Sequence, residues 1–179
     1  FNPYSYYLNK PSNINVEDVS PNYVDRSGIL WFGTYEGLYK FDRESNLCIN
    51  YSHDPNNPTS LSHDKVISSC EDRSGALWIG TIGCGINKFN REKEKFIHYK
   101  HDTNDPYSLS NNIVLSIYED DSGTIWIGTY GGGMNKFDAE KEKFTHYTND
   151  PDKSTSLADN RVYCFYEDRT GNFWIGTWS

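Results

Sequence analysis

Leu77-Trp78-Ile79-Gly80-Thr81 returns as Ile125-Trp126-Ile127-Gly128-Thr129 and as Phe173-Trp174-Ile175-Gly176-Thr177, and Leu30-Trp31-Phe32-Gly33-Thr34 precedes all three. The tryptophans stand 47, 48 and 48 residues apart. A fixed period of roughly 20–50 residues marks one supersecondary unit repeated along a chain. Glycine falls three residues before each tryptophan and closes Asp25-Arg26-Ser27-Gly28, Asp72-Arg73-Ser74-Gly75, Asp120-Asp121-Ser122-Gly123 and Asp168-Arg169-Thr170-Gly171. Asp and Ser side chains bond nearby backbone while Gly accepts positive φ, so each tetrad predicts a hairpin connection between two strands.

Beyond each complete copy a further strand is predicted, ending in Lys40-Phe41, Lys88-Phe89 or Lys136-Phe137. A charged link such as Asp138-Ala139-Glu140-Lys141-Glu142-Lys143 leads to another, Phe144-Thr145-His146-Tyr147, matched by Phe96-Ile97-His98-Tyr99 and, at the same phase, by Phe1-Asn2-Pro3-Tyr4. A long polar loop then feeds the strand at 113–118 or 162–166. Each period thus holds four short strands. Val114, Ile117, Tyr118, Ile125, Trp126 and Ile127 do not alternate with polar residues, and such a run suits a sheet squeezed between two neighbours. A parallel β-helix or a β-sandwich can also bury both faces or repeat turns, but neither naturally places four strands in 48 residues.

The expected fold is therefore all-β, a β-propeller of four-stranded antiparallel blades radiating from an axis. Residues 1–179 form one propeller segment, with repeats starting near 1, 48, 96 and 144 and the last incomplete, about 3.75 blades in all. The strand before each Asp-x-Ser/Thr-Gly turn is expected to line the channel, and 144–147 to lie outermost. Closed propellers have about four to eight blades, so the segment is either an arc of a larger ring, the favoured reading, or a nearly complete four-bladed ring missing a single strand. An arc exposes apolar blade faces, which predicts either contact with the remaining blades of a parent propeller or self-association of fragments.

The chain has 179 residues, 36% of them apolar and 16% aromatic, enough for a core without disulfides. A net charge of -8 leaves no broad basic face to neutralise phosphates, so neither nucleic acid nor direct membrane contact is expected. No apolar stretch approaches the roughly 20 residues that cross a bilayer. The opening Phe1-Asn2-Pro3-Tyr4 is neither a signal peptide nor a natural start, so the chain is expected to be cut from something longer. Cys48, Cys70, Cys84 and Cys164 follow no repeating scheme or metal spacing and read as small buried fillers or free thiols.

Residues 112–137, with Tyr118-Glu119-Asp120-Asp121-Ser122-Gly123-Thr124-Ile125-Trp126-Ile127-Gly128-Thr129-Tyr130-Gly131-Gly132-Gly133-Met134-Asn135-Lys136-Phe137 at their centre, closely resemble the two-component regulator propeller repeat. The pattern returns at 66–89 and 162–177, and more loosely at 19–41, where Tyr35-Glu36-Gly37-Leu38 is one residue short and Pro21 interrupts the channel strand. The resemblance implies a periplasmic or extracellular sensor propeller of a bacterial two-component signalling protein, which binds an oligosaccharide and signals to a histidine kinase. This segment itself is then not an enzyme and carries no cofactor. Similar repeats occur in other secreted proteins, so the alternatives are the propeller of a polysaccharide lyase or glycosidase and a protein-interaction scaffold.

The four repeated tryptophans read as core packing between blades. The residue after each Gly-Thr is different, since Tyr35, Ile82, Tyr130 and Trp178 fall where the strand reaches the loop face. Amphipathic rings at a channel mouth suit the apolar faces of sugars, so Tyr35, Tyr130 and Trp178 are the first ligand candidates. His63, Asn111, Asn112, Asn160 and Arg161, in loops expected to open on the same face, are the second. Gly131-Gly132-Gly133 lies between strands and reads as a tight turn, not a phosphate cradle. His98 and His146 sit in separate outer strands and are not expected to share a metal. The loops at 52–64, 102–112 and 149–160 lack the twelve-residue calcium pattern, so no metal site is expected. Asp72, Asp120 and Asp168 recur in every turn, as structural residues do, and no catalytic constellation is expected.

Overall fold

A computed structural model describes residues 22–179. The strand expected at Phe1-Asn2-Pro3-Tyr4 and the irregularity expected at Pro21 lie outside the described residues. Among these residues are fourteen strands and no helix. The first sheet holds β1 (Asn22–Val24), β2 (Leu30–Thr34), β3 (Gly37–Asp42) and β4 (Leu47–Tyr51). The second holds β5 (Val66–Glu71), β6 (Leu77–Thr81), β7 (Ile86–Asn90) and β8 (Lys95–Tyr99), and the third β9 (Val114–Glu119), β10 (Ile125–Thr129), β11 (Met134–Asp138) and β12 (Lys143–Tyr147). β13 (Val162–Glu167) and β14 (Phe173–Thr177) form a fourth sheet of two strands. Within each sheet the strands lie in chain order and every neighbouring pair is antiparallel. Positions 48, 96 and 144, where the periods start, fall in or at β4, β8 and β12, the strands that close the preceding sheets. Period and sheet are therefore offset by one strand.

The turn chemistry is visible at each first hairpin. Asp72 Oδ1 accepts the backbone N–H groups of Ser74 and Ala76, and Gly75 takes φ +85°. The chain is thereby reversed and β6 is returned along β5, with Cys70 opposite Trp78. Asp25, Asp120 and Asp168 repeat the arrangement.

Consecutive sheets stack face to face, and the two buried seams are copies of one another. Trp31, Leu38, Leu61, Val66, Leu77, Ile79, Phe89 and Phe96 fill the first. The second is built by Trp78, Ile86, Leu109, Val114, Ile125, Ile127, Phe137 and Phe144, each one period later than its counterpart. In both, the indole of one blade meets a phenylalanine of the next edge-on, at 5.5 Å for Trp31 and Phe89 and 5.1 Å for Trp78 and Phe137. Blades stacked in this way around innermost strands are the propeller arrangement. Lone sheets of this size would leave both apolar faces wet, so the seams supply the hydrophobic stabilisation.

Burial of the tryptophans follows from what lies next to them. Trp31 and Trp78 are buried, Trp126 is half-buried between Tyr147 of its own sheet and Phe173 of the short fourth sheet, and Trp174 is exposed because no described sheet covers it. Core packing therefore holds for the first two indoles, in part for the third, and not for the fourth. The same reason corrects the reading of Cys164 as a buried filler. Its counterparts Ser68 and Ser116 donate to Val114 O and Val162 O of the following blade, whereas Cys164 is exposed. All four cysteines are free thiols.

The long loops protect the outer edges. Phe96 N–H donates to Thr59 O and His98 Nε2–H to Ser60 O at 2.7 Å, so the 52–64 loop continues the ladder of β8. Phe144 and His146 do the same with Tyr107 O and Ser108 O. An outer strand left bare would be a template for aggregation. At the opposite end of the first seam, Arg91 is clamped by Asp25 (2.6 Å), Glu71 (3.0 Å) and the Gly75 carbonyl (2.8 Å), and it stacks 5.4 Å from the Trp31 ring. Ala139 stands at the equivalent place in the next blade.

Candidate functional site

A four-stranded antiparallel meander puts its second connection, and the link to the next blade, at one end of every sheet. The backbone shows the two kinds of loop meeting there. Gly83 and Gly85 N–H groups donate to Asn112 O, and those of Gly131 and Gly133 to Asn160 O. This loop face lies at the end of the innermost strands β5, β9 and β13, which line a cavity of about 210 Å³ with Ile67, Ser69, Leu115, Ile117, Tyr163 and Phe165.

Around the mouth runs a continuous rim. Ile82 N–H donates to Lys65 O, Tyr130 N–H to Ile113 O and Trp178 N–H to Arg161 O, at 3.0, 3.0 and 3.1 Å. Isolated bridges carry the rim across the seams, from Ile82 to Ile113 and from Tyr130 to Arg161. Tyr35 joins through the Lys65 ammonium, 5.6 Å above its ring. The order is thus Tyr35, Lys65, Ile82, Ile113, Tyr130, Arg161, Trp178. Tyr35, Tyr130 and Trp178 are 54%, 47% and 64% exposed. Tyr130 and Trp178 stand on backbone-bonded positions, Tyr35 lies under the Lys65 ammonium, and all three rings are presented to water.

Of the residues the sequence singles out, the structure brings Tyr130, Arg161 and Trp178 together and places Tyr35 two blades away. The remaining four build the rim. Asn111 Oδ1 accepts the Ile113 N–H at 2.8 Å and His63 Nδ1 the Lys65 N–H at 3.0 Å, each capping a rim residue two positions on. Asn112 and Asn160 accept the glycine turns on their carbonyls, and their Oδ1 atoms accept His101 and Asn149 N–H from the long loops. Lys65, Ile82, Ile113, Asp159 and Tyr163 also belong to the site. Their repeat positions beside the chosen residues were the available signal; the bridges between blades that make them one rim were not.

The densest part is at the fourth blade. Asp159 Oδ1 accepts the Arg161 backbone N–H at 2.7 Å and its Nε–H at 2.8 Å, while Oδ2 accepts Nη2–H and the Ser179 hydroxyl. The Arg161 guanidinium lies 5.4 Å from the Trp178 ring, and Tyr163 packs against the same ring with centroids 5.8 Å apart. The Arg161 bonds hold the Asp159 carboxyl well below the usual carboxylate range, and the same pairing raises Arg161. A carboxylate so held is unsuited to giving a proton as a general acid, which calls for a raised pKa. In the loops, Asp54, Asp102 and Asp150 cap N–H groups two residues on. Among the described residues no group of three or more His, Cys, Asp or Glu side chains is arranged to hold a metal ion.

The family model for two component regulator propellers matches residues 60–83, 108–131 and 156–179. Each match runs from a long loop through the innermost strand and the turn to the rim. Three of its repeats thus carry matches to this model. The propeller also superposes on the extracellular domain of a hybrid two component system from B. thetaiotaomicron, with TM-score 0.78 and 28% identity over 93% of this chain and 24% of that one. A second such extracellular domain from the same organism matches with TM-score 0.51 and 23% identity over 89% of this chain and 27% of the other. PorZ, a surface component of the type-IX secretion system of Porphyromonas gingivalis, matches with TM-score 0.53 and 16% identity over 89% and 31%; these last two show the shared fold. The chain thus spans about a quarter to a third of the length of these structures. No curated protein matches it.

Proposed function

We propose that this chain is a segment of the extracellular or periplasmic sensor propeller of a bacterial two-component signalling protein, and that it binds an oligosaccharide on the rim of its loop face. The observation that carries the reading is the row Tyr35, Tyr130 and Trp178, exposed rings at a channel mouth, the last two on backbone-bonded positions and the first under the Lys65 ammonium, with Arg161 beside Trp178. Such rings bury the C–H faces of sugars, and the interleaved cations and hydroxyls offer hydrogen bonds to the ring substituents. The likeness to the extracellular domain of a hybrid two component system supports the sensor role and the location. The segment acts by binding, not catalysis: the turn aspartates recur as structural groups and Asp159 is committed to Arg161. Its further partners are the remaining blades of a parent ring or a second copy of this chain.

Titration calorimetry of the protein against a panel of plant and host oligosaccharides tests the reading. Saturable binding without product is expected, and Tyr130→Ala should weaken it about tenfold or more, the loss of one stacking platform. Product formation from a bound glycan would instead place the chain among polysaccharide-degrading enzymes, and full binding by Tyr130→Ala would remove that ring from the site.

A further inference from the structure

Arg91 is held by a set of acceptors that the fold builds twice. In the first seam its guanidinium meets Asp25 Oδ2 at 2.6 Å, Glu71 Oε1 at 3.0 Å and the Gly75 carbonyl at 2.8 Å, beside the Trp31 ring. One period later the corresponding groups are Asp72, Glu119, Gly123 and Trp78, and they are arranged alike. Asp72 Oδ2 accepts the Trp78 indole N–H at 2.8 Å, as Asp25 Oδ2 accepts that of Trp31. Glu119 Oε2 accepts the Arg73 backbone N–H at 2.8 Å, as Glu71 Oε2 accepts that of Arg26 at 3.2 Å. The Oε1 atoms of Glu71 and Glu119 each lie 3.8 Å from where a Cβ would stand on Gly75 and Gly123, and both glycines take φ +85°.

The second seam differs in its cation. Ala139, an exposed residue, stands where the first seam has Arg91. Among the described residues Glu119 Oε1 and the Gly123 carbonyl accept no hydrogen bond. Arg73, the guanidinium nearest to them, bonds Asp121 O at 2.6 Å and Asp121 Oδ1 at 3.5 Å instead. Lys88 lies 5.0 Å from the Trp78 ring and acts on Asp72 through space. On this face Ser74, Ala76 and Lys88 also line a cavity of about 530 Å³, which runs around the turn to Arg91. The Arg91 side chain is itself 31% exposed, so the same place in the second seam is open to approach from solvent.

We infer that the second seam binds a guanidinium group from outside the chain, the arginine side chain of a polypeptide partner, held by Asp72, Glu119 and the Gly123 carbonyl against Trp78. A planar guanidinium reaches two carboxylates and a carbonyl set in fixed directions at once, which the point charge of an ammonium does not. The net charge of -8 favours a basic partner. The site lies at the turn end of the sheets, opposite the rim, so it is separate from the glycan surface.

Calorimetry of the 179-residue chain with acetyl-Gly-Arg-Gly-amide tests this, against the corresponding lysine tripeptide and ethylguanidinium chloride at one ionic strength. The arginine tripeptide and ethylguanidinium should each saturate one site, and the arginine tripeptide should bind about fivefold or more tighter than the lysine tripeptide. Ala139→Arg supplies the guanidinium from within, so it should abolish this binding and raise the thermal midpoint by about 2–4 °C. Glu119→Gln keeps the acceptor for the Arg73 N–H and removes the charge, and it should weaken binding about tenfold even where Ala139→Arg does not fold. Exposed rings such as Trp174 and Trp178 also attract cations, and binding that persists in full in both variants is of that kind and overturns the assignment. Equal affinity for the arginine and lysine tripeptides overturns it as well. Binding of ethylguanidinium without the arginine tripeptide overturns the polypeptide source and points to a small guanidino compound.

Discussion

Trp78 donates its indole Nε1–H to Asp72 Oδ2 at 2.8 Å, while the other oxygen of the same carboxylate closes the turn six residues upstream. Trp31 and Asp25, Trp126 and Asp120, and Trp174 and Asp168 repeat the bond at 2.8, 2.7 and 3.0 Å. One side chain thus fixes both the hairpin and the orientation of the indole that enters the next blade. A buried indole needs such a partner, because an unmet donor costs its desolvation.

Asp72→Ala therefore should lower unfolding free energy by about 2–3 kcal/mol, since it strands the buried Trp78 donor and uncaps the turn. Asp168→Ala should cost clearly less, because the exposed Trp174 indole can turn to water. Urea denaturation of the two variants measures the contrast, and equal losses would show that the turn cap, not the indole bond, carries the effect.

Acid should loosen the propeller through these same groups. Burial alone would raise Asp25 and Asp72; the bonds from Trp31, Arg91 and Ile29 to the first, and from Ser74, Trp78 and Ala76 to the second, outweigh it and hold both carboxyls below their ordinary 3.8. A folded pKa under the unfolded one means that the unfolded chain binds more protons, so this stabilisation is complete above roughly pH 5 and is lost as pH falls through about 4 and below. Urea midpoints that rise between pH 4 and pH 3 would contradict the sign. Arg91→Met should cost about 2–3 kcal/mol near neutral pH, somewhat under the ~3–5 of a fully buried pair because Arg91 is partly exposed, and the deficit should shrink below pH 4 as Asp25 takes up a proton.

Gly80 is a contact, not a hinge. A Cβ there would lie 2.1 Å from Ser68 Oγ and 2.6 Å from Val114 Cγ1 of the next blade. Gly80→Ala should destabilise by about 1–3 kcal/mol, the range for overfilling a packed seam. At Gly176 the same atom would meet only the movable Cys164 thiol and atoms of that residue, so Gly176→Ala should be milder in the same thermal unfolding assay.

Tyr166 and Trp174 leave an apolar face on the fourth blade, the face that in the third blade Tyr118 and Trp126 turn to the sheet that follows. Residues 1–179 alone should therefore self-associate, with Trp174→Ser and Tyr166→Ser together shifting light-scattering mass toward the monomer. A monomer mass for the wild-type chain across a hundredfold range of concentration would rule the association out.

Much of the site was legible because its carriers are periodic. Tyr35, Tyr130 and Trp178 follow Gly-Thr in their copies, and period alone places them at one end of the sheets. For Asn112 and Asn160 the sequence shows a polar residue in a loop at the mouth but not its bonds: their carbonyls and Oδ1 atoms accept from glycine turns and loop amides that only assembled blades bring near. Asp159 was missed because its role is to hold Arg161, a partner two residues away whose own exposure depends on the rim.

Alone, the order of residues determined whatever depends on neighbours a few positions apart: the Asp-x-Ser/Thr-Gly reversals, the short apolar strands, four of them to each beat of 47 or 48, and hence stacked sheets. Tertiary structure decided what depends on atoms one whole period apart. Ser68 meets Val114 O and Arg73 meets Glu119 across 46 positions, Trp31 is buried while Trp174 is bare, and the outer strand closes the sheet before it. Hairpin bonds are written into local spacing, but a buried seam exists only where a second blade supplies the opposite wall, and identical motifs meet different fates according to whether that wall is present.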